Sequence, residues 1–367
     1  MLRGAIALAG FVASLAIACA TLGTRAGEET GLPGAGAGPF RRLGSDELAG
    51  VAPFVLDDRL SRYREPCVLA GGDDRTSPKV VLFAAAERGG VPVIVRTHAD
   101  DARSFFGGSG DAPGRTAPVV LAPELPWEGG TVSGPSALRD GDEVRLYYAA
   151  AGGIGLARST AGGPFVHERA PVLAEPGAHA PSVVRLPDGT FRMLYARGSS
   201  IWEAESRDGR VFVPRDARPE TPAIDPVLEP SLPKVLEGGE KPPFDLDAVD
   251  DPEVVLRTTV AGRLHFRVLY TGYARSVDTG AVVGAVGFAA RYGTDGPLVR
   301  NTAPAIATGK GEAQPALFEW EPKEGPRSLL YFGTQKGTGD ATYPAIGAGL
   351  GPATAALGPP GEFPDEP

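Results

Sequence analysis

Five prolines, Pro66, Pro135, Pro181, Pro252 and Pro315, each lead into a short apolar run, and the residues just before them carry the side chains able to do chemistry. Those residues are Arg64 and Glu65, Ser133 and Gly134, His179 and Ala180, Asp250 and Asp251, and Glu312 to Gln314. Carboxylates therefore come from three of the five places. Two carboxyl groups held apart in ionisation can serve as general acid and general base, so Glu65, Asp251 and Glu312 are the candidate catalytic residues. Arg64, His179, Asp250 and Gln314 are candidate substrate-binding groups beside them. For any single carboxylate the competing reading is structural, because Asx-type turns before proline commonly accept backbone N–H groups. His179 likewise stands as either a ligand or acid, or a satisfied structural histidine; His98, His167 and His265 fall at unrelated places in the pattern.

What must position these residues is an internal repeat. The segments "EPCVL", "GPSAL", "APSVV", "DPEVV" and "QPALF" are each followed by a turn and a second apolar strand: "KVVLFAAA", "EVRLYYAAA", "TFRMLYARG", "LHFRVLYTG" and "RSLLYFGT". A third strand follows clearly in three repeats, as "GIGLARS", "SIWEAES" and "AVGFAAR", and apolar exits such as "APVVL" close several units. Four strands joined by tight turns form one propeller blade, and such sheets bury both faces only by stacking around an axis. The expected fold class is all-β, a five-bladed β-propeller of four-stranded antiparallel blades over residues 51–345. A sixth blade stays open if residues 51–63 or the tail complete another sheet. In this architecture the first strand of each blade lines the axis, so the residues flanking the five prolines converge at one mouth.

The bulk properties fit that picture and narrow the partners. The chain has 367 residues, with 51 glycines and 36 prolines supplying the turns that many short strands need. A net charge of −9 with no basic stripe argues against a nucleic-acid partner. No Gly-rich phosphate loop opens a helix, so no nucleotide is expected; no His/Cys/Asp/Glu spacing suggests a metal, and no cofactor is implied. No Gly-x-Ser-x-Gly elbow is present. At the N-terminus, Arg3 precedes the apolar run Ala5–Ala18, too short for a transmembrane helix. Residues 1–18 read as a signal peptide. Cys67 is then the one other cysteine, either an exposed reactive thiol or, as "PCVL" suggests, a small buried side chain. Residues 19–50 are expected to be a flexible tether and 346–367 a Gly/Pro-rich tail.

Three features carry resemblances. The end of the apolar run, "SLAIAC", resembles the bacterial lipobox, with Ala16 where leucine is usual. That resemblance implies lipid on Cys19, anchorage in a bacterial cell envelope and, with Ala20 after the cysteine, sorting to the outer membrane; a plain secretory signal is the alternative. The stretches "PSALRDGDEVRLYYAAAGGIGLARSTAGGPF" and "PSVVRLPDGTFRMLYARGSSIWEAESRDGRVF" resemble the blades of the five-bladed propeller glycosidases, the arabinanases, β-xylosidases, invertases and levansucrases. That likeness implies a carbohydrate ligand, and it makes Trp127, in the loop "ELPWEGG", a candidate stacking face for a sugar; Trp202 and Trp320 read as packing residues. It also implies three carboxylates. Glu65 matches the first as glutamate rather than aspartate, but Gly134 and Ala180 stand where the second and third belong, and neither can transfer a proton.

The expected function is thus an exported envelope lipoprotein whose glycosidase-like propeller acts on or binds a carbohydrate at the funnel mouth, with the usual carboxylates incomplete. A relocated pair among Glu65, Asp251 and Glu312 would need a separation of about 5–9.5 Å. The alternative is a non-catalytic protein-interaction propeller of the cell envelope.

Overall fold

The computed structural model describes residues 40–42, 60–71, 76–102, 105, 117–160, 162–232, 242–258, 263–277, 279–301, 303–306, 311–320, 327–336 and 343–350. The signal segment 1–18, Cys19, the tether up to residue 39 and the tail beyond Leu350 lie outside the described residues.

The described strands form five four-stranded antiparallel sheets. The first blade holds β2 (Ser61–Ala70), β3 (Val80–Arg88), β4 (Val91–Ala99) and β5 (Val119–Leu121). The second holds β6 (Ser133–Asp140), β7 (Glu143–Ala150), β8 (Gly153–Thr160) and β9 (Val166–His167). The third holds β10 (His179–Arg185), β11 (Phe191–Arg197), β12 (Ser200–Ser206) and β13 (Val213–Arg215). The fourth holds β14 (Ala248–Thr258), β15 (Leu264–Arg275), β16 (Val282–Tyr292) and β17 (Val299–Arg300). The closing sheet holds β18 (Glu312–Trp320), β19 (Arg327–Lys336) and β20 (Tyr343–Leu350), completed by the two-residue β1 (Arg41–Arg42) from the other end of the chain. The first strands neighbour one another in the cycle β2, β6, β10, β14, β18 and back to β2. Apolar clusters fill the gap between each adjacent pair of sheets, as Phe83 and Leu146 do between the first and second blades and Phe266 and Leu194 between the third and fourth. The chain is an all-β propeller of four-stranded antiparallel blades.

Two expected boundaries shift. Residues 19–50 were expected to be tether throughout, yet Arg41–Arg42 pairs antiparallel with Gly349 and Leu350, and the N–H of Phe40 donates to Ala305 O at 2.7 Å. The aromatic ring of Phe40, 5% exposed, is what draws this segment into the core between the fourth blade and the closing sheet. For the same reason β20 runs to Leu350, past the expected end of the propeller at 345: its last residues pair with both β1 and β19.

The repeated prolines also sit differently from the expectation that they open strands. Each lies inside a first strand, at a register shift: Arg64/Cys67, Ser133/Ser136, His179/Ser182, Asp250/Glu253 and Ala313/Ala316. Every one is a β-bulge in which the first strand advances three residues against two on its partner. A proline has no N–H to donate, so a bulge is where a strand can accept it. The residue before each proline is left-handed, with φ of 53° at Glu65, 54° at Gly134, 45° at Ala180, 48° at Asp251 and 57° at Gln314. For the four that are not glycine this is a costly conformation, and its repetition marks the axis as a strained, over-determined element.

Two residues past each bulge a ladder ties the blades together. Cys67 Sγ accepts from Ala137 N–H at 3.1 Å, Ser136 Oγ from Val183 N–H at 3.0 Å, and Ser182 Oγ from Val254 N–H at 2.9 Å. Glu253 continues the ladder to the N–H of Leu317. The buried Cys67 thiol thus stands where serine stands in the next two blades, and burial pushes its pKa well above the ordinary thiol value.

Candidate functional site

The five residue–proline pairs meet on the axis, where together with Glu253 they line a cavity of about 30 Å³. That is room for about one water. Around it a chain of hydrogen bonds passes through all five sheets. The His179 ring nitrogen Nε2, from the third blade, lies 3.1 Å from Asp250 Oδ1 and 3.2 Å from Oδ2 in the fourth. Asp250 Oδ1 accepts from Asp251 N–H at 2.7 Å. Thr271, on the second strand of that blade, donates its hydroxyl to Asp251 Oδ2 at 2.9 Å and accepts from Gln314 N–H at 2.8 Å. Gln314 Oε1 accepts from Glu65 N–H at 3.0 Å, and Glu65 Oε2 accepts from Gly134 N–H at 2.6 Å.

The step from Gly134 to Ala180 closes the circle by backbone packing. A Cβ on Gly134 would stand 3.2 Å from both Cα and N of Ala180. Left-handed geometry and this close approach both favour glycine there, and any side chain, the carboxylate that the resemblance implies included, would require Ala180 to give way by a few tenths of an ångström.

Charge is distributed unevenly around the chain. Asp251 is pushed well above the ordinary carboxylate range by burial first, then by the charges of Asp250 and Glu65. His179 is pushed up to about 9, chiefly by its bond to Asp250 and against the effect of burial, so it is a cation at neutral pH. Its side chain, 40% exposed, is the most open of the chain's polar groups, and Nδ1 is held at 3.0 Å by Gly177 O. Glu65, 20% exposed, has Oε1 at 3.3 Å from Arg64 Nε, and Arg64 also lies 3.9 Å from Glu87. Both oxygens of Glu65 are therefore engaged within the protein. Glu253 is pushed up to about 8 by burial, against its bonds from Ser182 and Leu317.

The structure thus brings together Arg64, Glu65, His179, Asp250, Asp251 and Gln314. Glu312 stands apart: it is fully buried on β18, opposite Thr334, and does not line the cavity. A group closed to solvent cannot reach a substrate in this state. Trp127 is also elsewhere, in the turn Pro126–Glu128, stacked on Tyr148 at 6.0 Å and packed over Gly152 and Gly155. Its ring, partly buried, packs against the core between the first and second blades. Trp202 lies beneath the Arg197 guanidinium at 4.1 Å, and Trp320 stacks on Phe318 at 5.4 Å.

Three polar residues of the axis were not legible as such. Thr271 and Tyr273 come from a second strand, and Tyr273 shares a hydrogen bond with Asp251 that, after burial and with the nearby carboxylates, raises the phenol above its ordinary value. Glu253 sits two residues past the bulge. Aligning the second strands on their aromatic residues would have placed Thr271 beside the mouth. Among the described residues no group of three or more His, Cys, Asp or Glu side chains could hold a metal ion.

No protein-family model matches the sequence, and neither does any curated protein. Solved structures do match the fold. A glycosyl hydrolase from Bacteroides ovatus superposes with a TM-score of 0.59 at 15% identity, covering 86% of this chain and 93% of that one. A structure from the GH130 family of mannoside phosphorylases, which contains hydrolases targeting β-1,2 mannosidic linkages in Candida mannan, gives 0.56 at 15%, covering 91% and 98%. An endo-arabinase from Bacteroides thetaiotaomicron gives 0.51 at 15%, covering 78% and 93%. The chain shares the propeller fold of these glycoside hydrolases.

Proposed function

We propose that this chain is an exported envelope lipoprotein, anchored through Cys19 with the outer membrane as its site, and that its propeller binds a carbohydrate at the axial mouth without hydrolysing it. Counting the closing sheet as a blade makes it five-bladed, completed by β1. The carrying observation is that Glu65, the carboxylate standing where the glycosidase resemblance expects a catalytic group, spends both oxygens on Arg64 and on the Gly134 N–H. The axial cavity, at about 30 Å³, is far below the roughly 300–1,000 Å³ of small-molecule sites. A glycan would therefore lie over the mouth, where the Asp250 carboxylate offers acceptor lone pairs beside the cationic His179 ring, whose own two N–H groups face Asp250 and Gly177 O.

A second reading rests on one observation. Burial and the nearby carboxylates push Asp251 well above the ordinary carboxylate range, and a carboxyl raised in this way beside a second carboxyl group is what a general acid requires. Glycan-array binding and a broad glycan-hydrolysis screen on the exported chain separate the two. Binding reduced by His179→Ala and Asp250→Asn, with no hydrolysis, supports the first. Hydrolysis abolished by Glu65→Gln or Asp251→Asn establishes the second. If no glycan binds and a co-purifying envelope protein does, the interaction-propeller alternative stands in place of both.

A further inference from the structure

Three of the interfaces between sheets are plugged from one recurring position. Four residues past each bulge, the first strand pairs with a second-strand residue, and these are Val81, Arg145, Arg192, Arg267 and Leu329. In three blades this residue is an arginine that spans to the next sheet. Arg145 donates to Asp208 O at 2.6 Å and lies 4.9 Å over the Phe191 ring. Arg192 donates to Thr294 O at 3.1 Å. Arg267 grips both oxygens of Glu319, at 3.2 and 2.8 Å.

In the first blade the residue is Val81, and no such plug exists. A cleft of about 620 Å³ opens between the first and second blades. Leu69, Val81, Phe83, Val144 and Phe165 give it apolar walls, with Phe83 and Phe165 edge to face at 6.1 Å. Arg96, which pairs across the strands with Phe83, stands in the same wall, half-buried; its backbone N–H donates to Pro118 O at 3.1 Å, but its guanidinium has no hydrogen bond or ion pair to any described residue. At the rim, the Arg139 guanidinium reaches, among the described residues, only Ala70 O, at 3.5 Å, opposite an exposed Asp142. Arg139 is five residues past Gly134, about 16 Å along the strand, so this cleft is remote from the axial mouth.

We propose that this cleft is a binding site for an apolar monocarboxylic acid, its hydrocarbon body between Phe83, Phe165 and Val144 and its carboxylate on Arg96. The volume falls within the roughly 300–1,000 Å³ of small-molecule sites. A half-buried guanidinium without a partner is matched best by a carboxylate, which it engages with two parallel hydrogen bonds. Two arginines against Asp142 leave one net positive charge, the complement of a monoanion. The body of the ligand is either an alkyl chain or an aromatic ring, both of which the walls accept.

The test is calorimetric titration of the full exported chain with octanoate and, separately, 3-phenylpropanoate, each beside its neutral amide. Saturable binding of one acid is expected, and which acid binds identifies the body. The amide and the Arg96→Gln variant should each weaken it about tenfold or more, as for loss of a charge-assisted bond. Val81→Arg, which restores the plug, should abolish it while the chain stays folded by circular dichroism. Absence of saturable binding for both acids at millimolar concentration overturns the proposal. So does equal affinity for acid and amide, or an affinity unchanged in Arg96→Gln. The Arg96→Gln arm decides even if Val81→Arg fails to fold.

Discussion

At the scale of single residues, the axis is governed by what happens to one carboxyl and one thiol. Glu253 lines the axial cavity, bonded by the Ser182 hydroxyl and the Leu317 N–H, with burial raising its pKa to about 8 from an ordinary 4.5. A raised carboxyl pKa means that the folded chain holds more protons than the unfolded chain between those two values, so stability falls as pH rises through that window and levels off above it. Glu253→Gln keeps the acceptor for the Leu317 N–H and removes the titration. Thermal unfolding from pH 4.5 to 9 should show a declining Tm in the native chain and a flatter profile in the variant, which gains at least about 2 °C at the alkaline end. A parallel pair of curves would contradict this account. Cys67 makes a second case. Because Ser136 and Ser182 hold the same rung in the next two blades, Cys67→Ser should cost under about 1 kcal/mol in denaturant unfolding, whereas Cys67→Val strands the Ala137 N–H and should cost about 1–3 kcal/mol.

At the scale of strands and loops, the blades share a brace that the repeat conceals. Tyr148, Tyr195 and Tyr270 hold one equivalent place on their second strands, and each hydroxyl donates to a carboxylate from the loop leading into its own blade: Glu128 at 2.5 Å, Glu175 at 2.6 Å and Asp245 at 2.9 Å. A basic side chain completes each brace, His167 on Glu128 at 2.8 Å, Arg197 on Glu175, and Arg300 on Asp245 at 2.7 Å. The loops that reach the axis are thereby fixed to the blade behind them. Tyr270→Phe leaves Asp245 with a buried charge lacking one donor, and should lower stability by about 1–3 kcal/mol by urea unfolding. The strands themselves were legible, because alternation, turn residues and the recurring proline are local signals. The bulges were not: an apolar run after proline reads as a strand start, and only pairing with the second strand shows that β2, β6, β10, β14 and β18 begin earlier. The site was legible in part for the same reason. Residues beside a proline could be found along the chain, while Thr271, Tyr273 and Glu253 arrive by cross-strand register, Glu312 is withdrawn by burial, and Trp127 is held away from the axis by stacking on Tyr148, neither of which a local pattern announces.

At the scale of the whole molecule, radial stacking leaves one seam where the two ends of the sheet cycle must meet. The closing sheet has three strands from the C-terminal part of the chain and takes its fourth from Arg41–Arg42, so the cycle is held by pairing between residues about three hundred positions apart in sequence. Hydrogen bonds of a two-residue strand are few, and the larger share of the hold falls to Phe40, whose ring is buried with Val286, Phe288, Leu317 and Leu330 and whose N–H is bonded to Ala305 O. Phe40→Ala removes a buried ring from the junction of the fourth blade and the closing sheet, and should cost about 3–5 kcal/mol. A chain beginning at residue 44 loses both the ring and β1 and should be destabilised at least as far, while a chain beginning at residue 36 should unfold at the native temperature. Native-state hydrogen exchange supplies the spatial test. In Phe40→Ala, protection should fall first at β20, which pairs with β1, and at β16, whose Val286 and Phe288 pack on the lost ring, and persist in the second and third blades, whose strands are consecutive. Uniform loss of protection across all sheets would show instead that the cycle opens as one cooperative unit and that the seam has no separate stability.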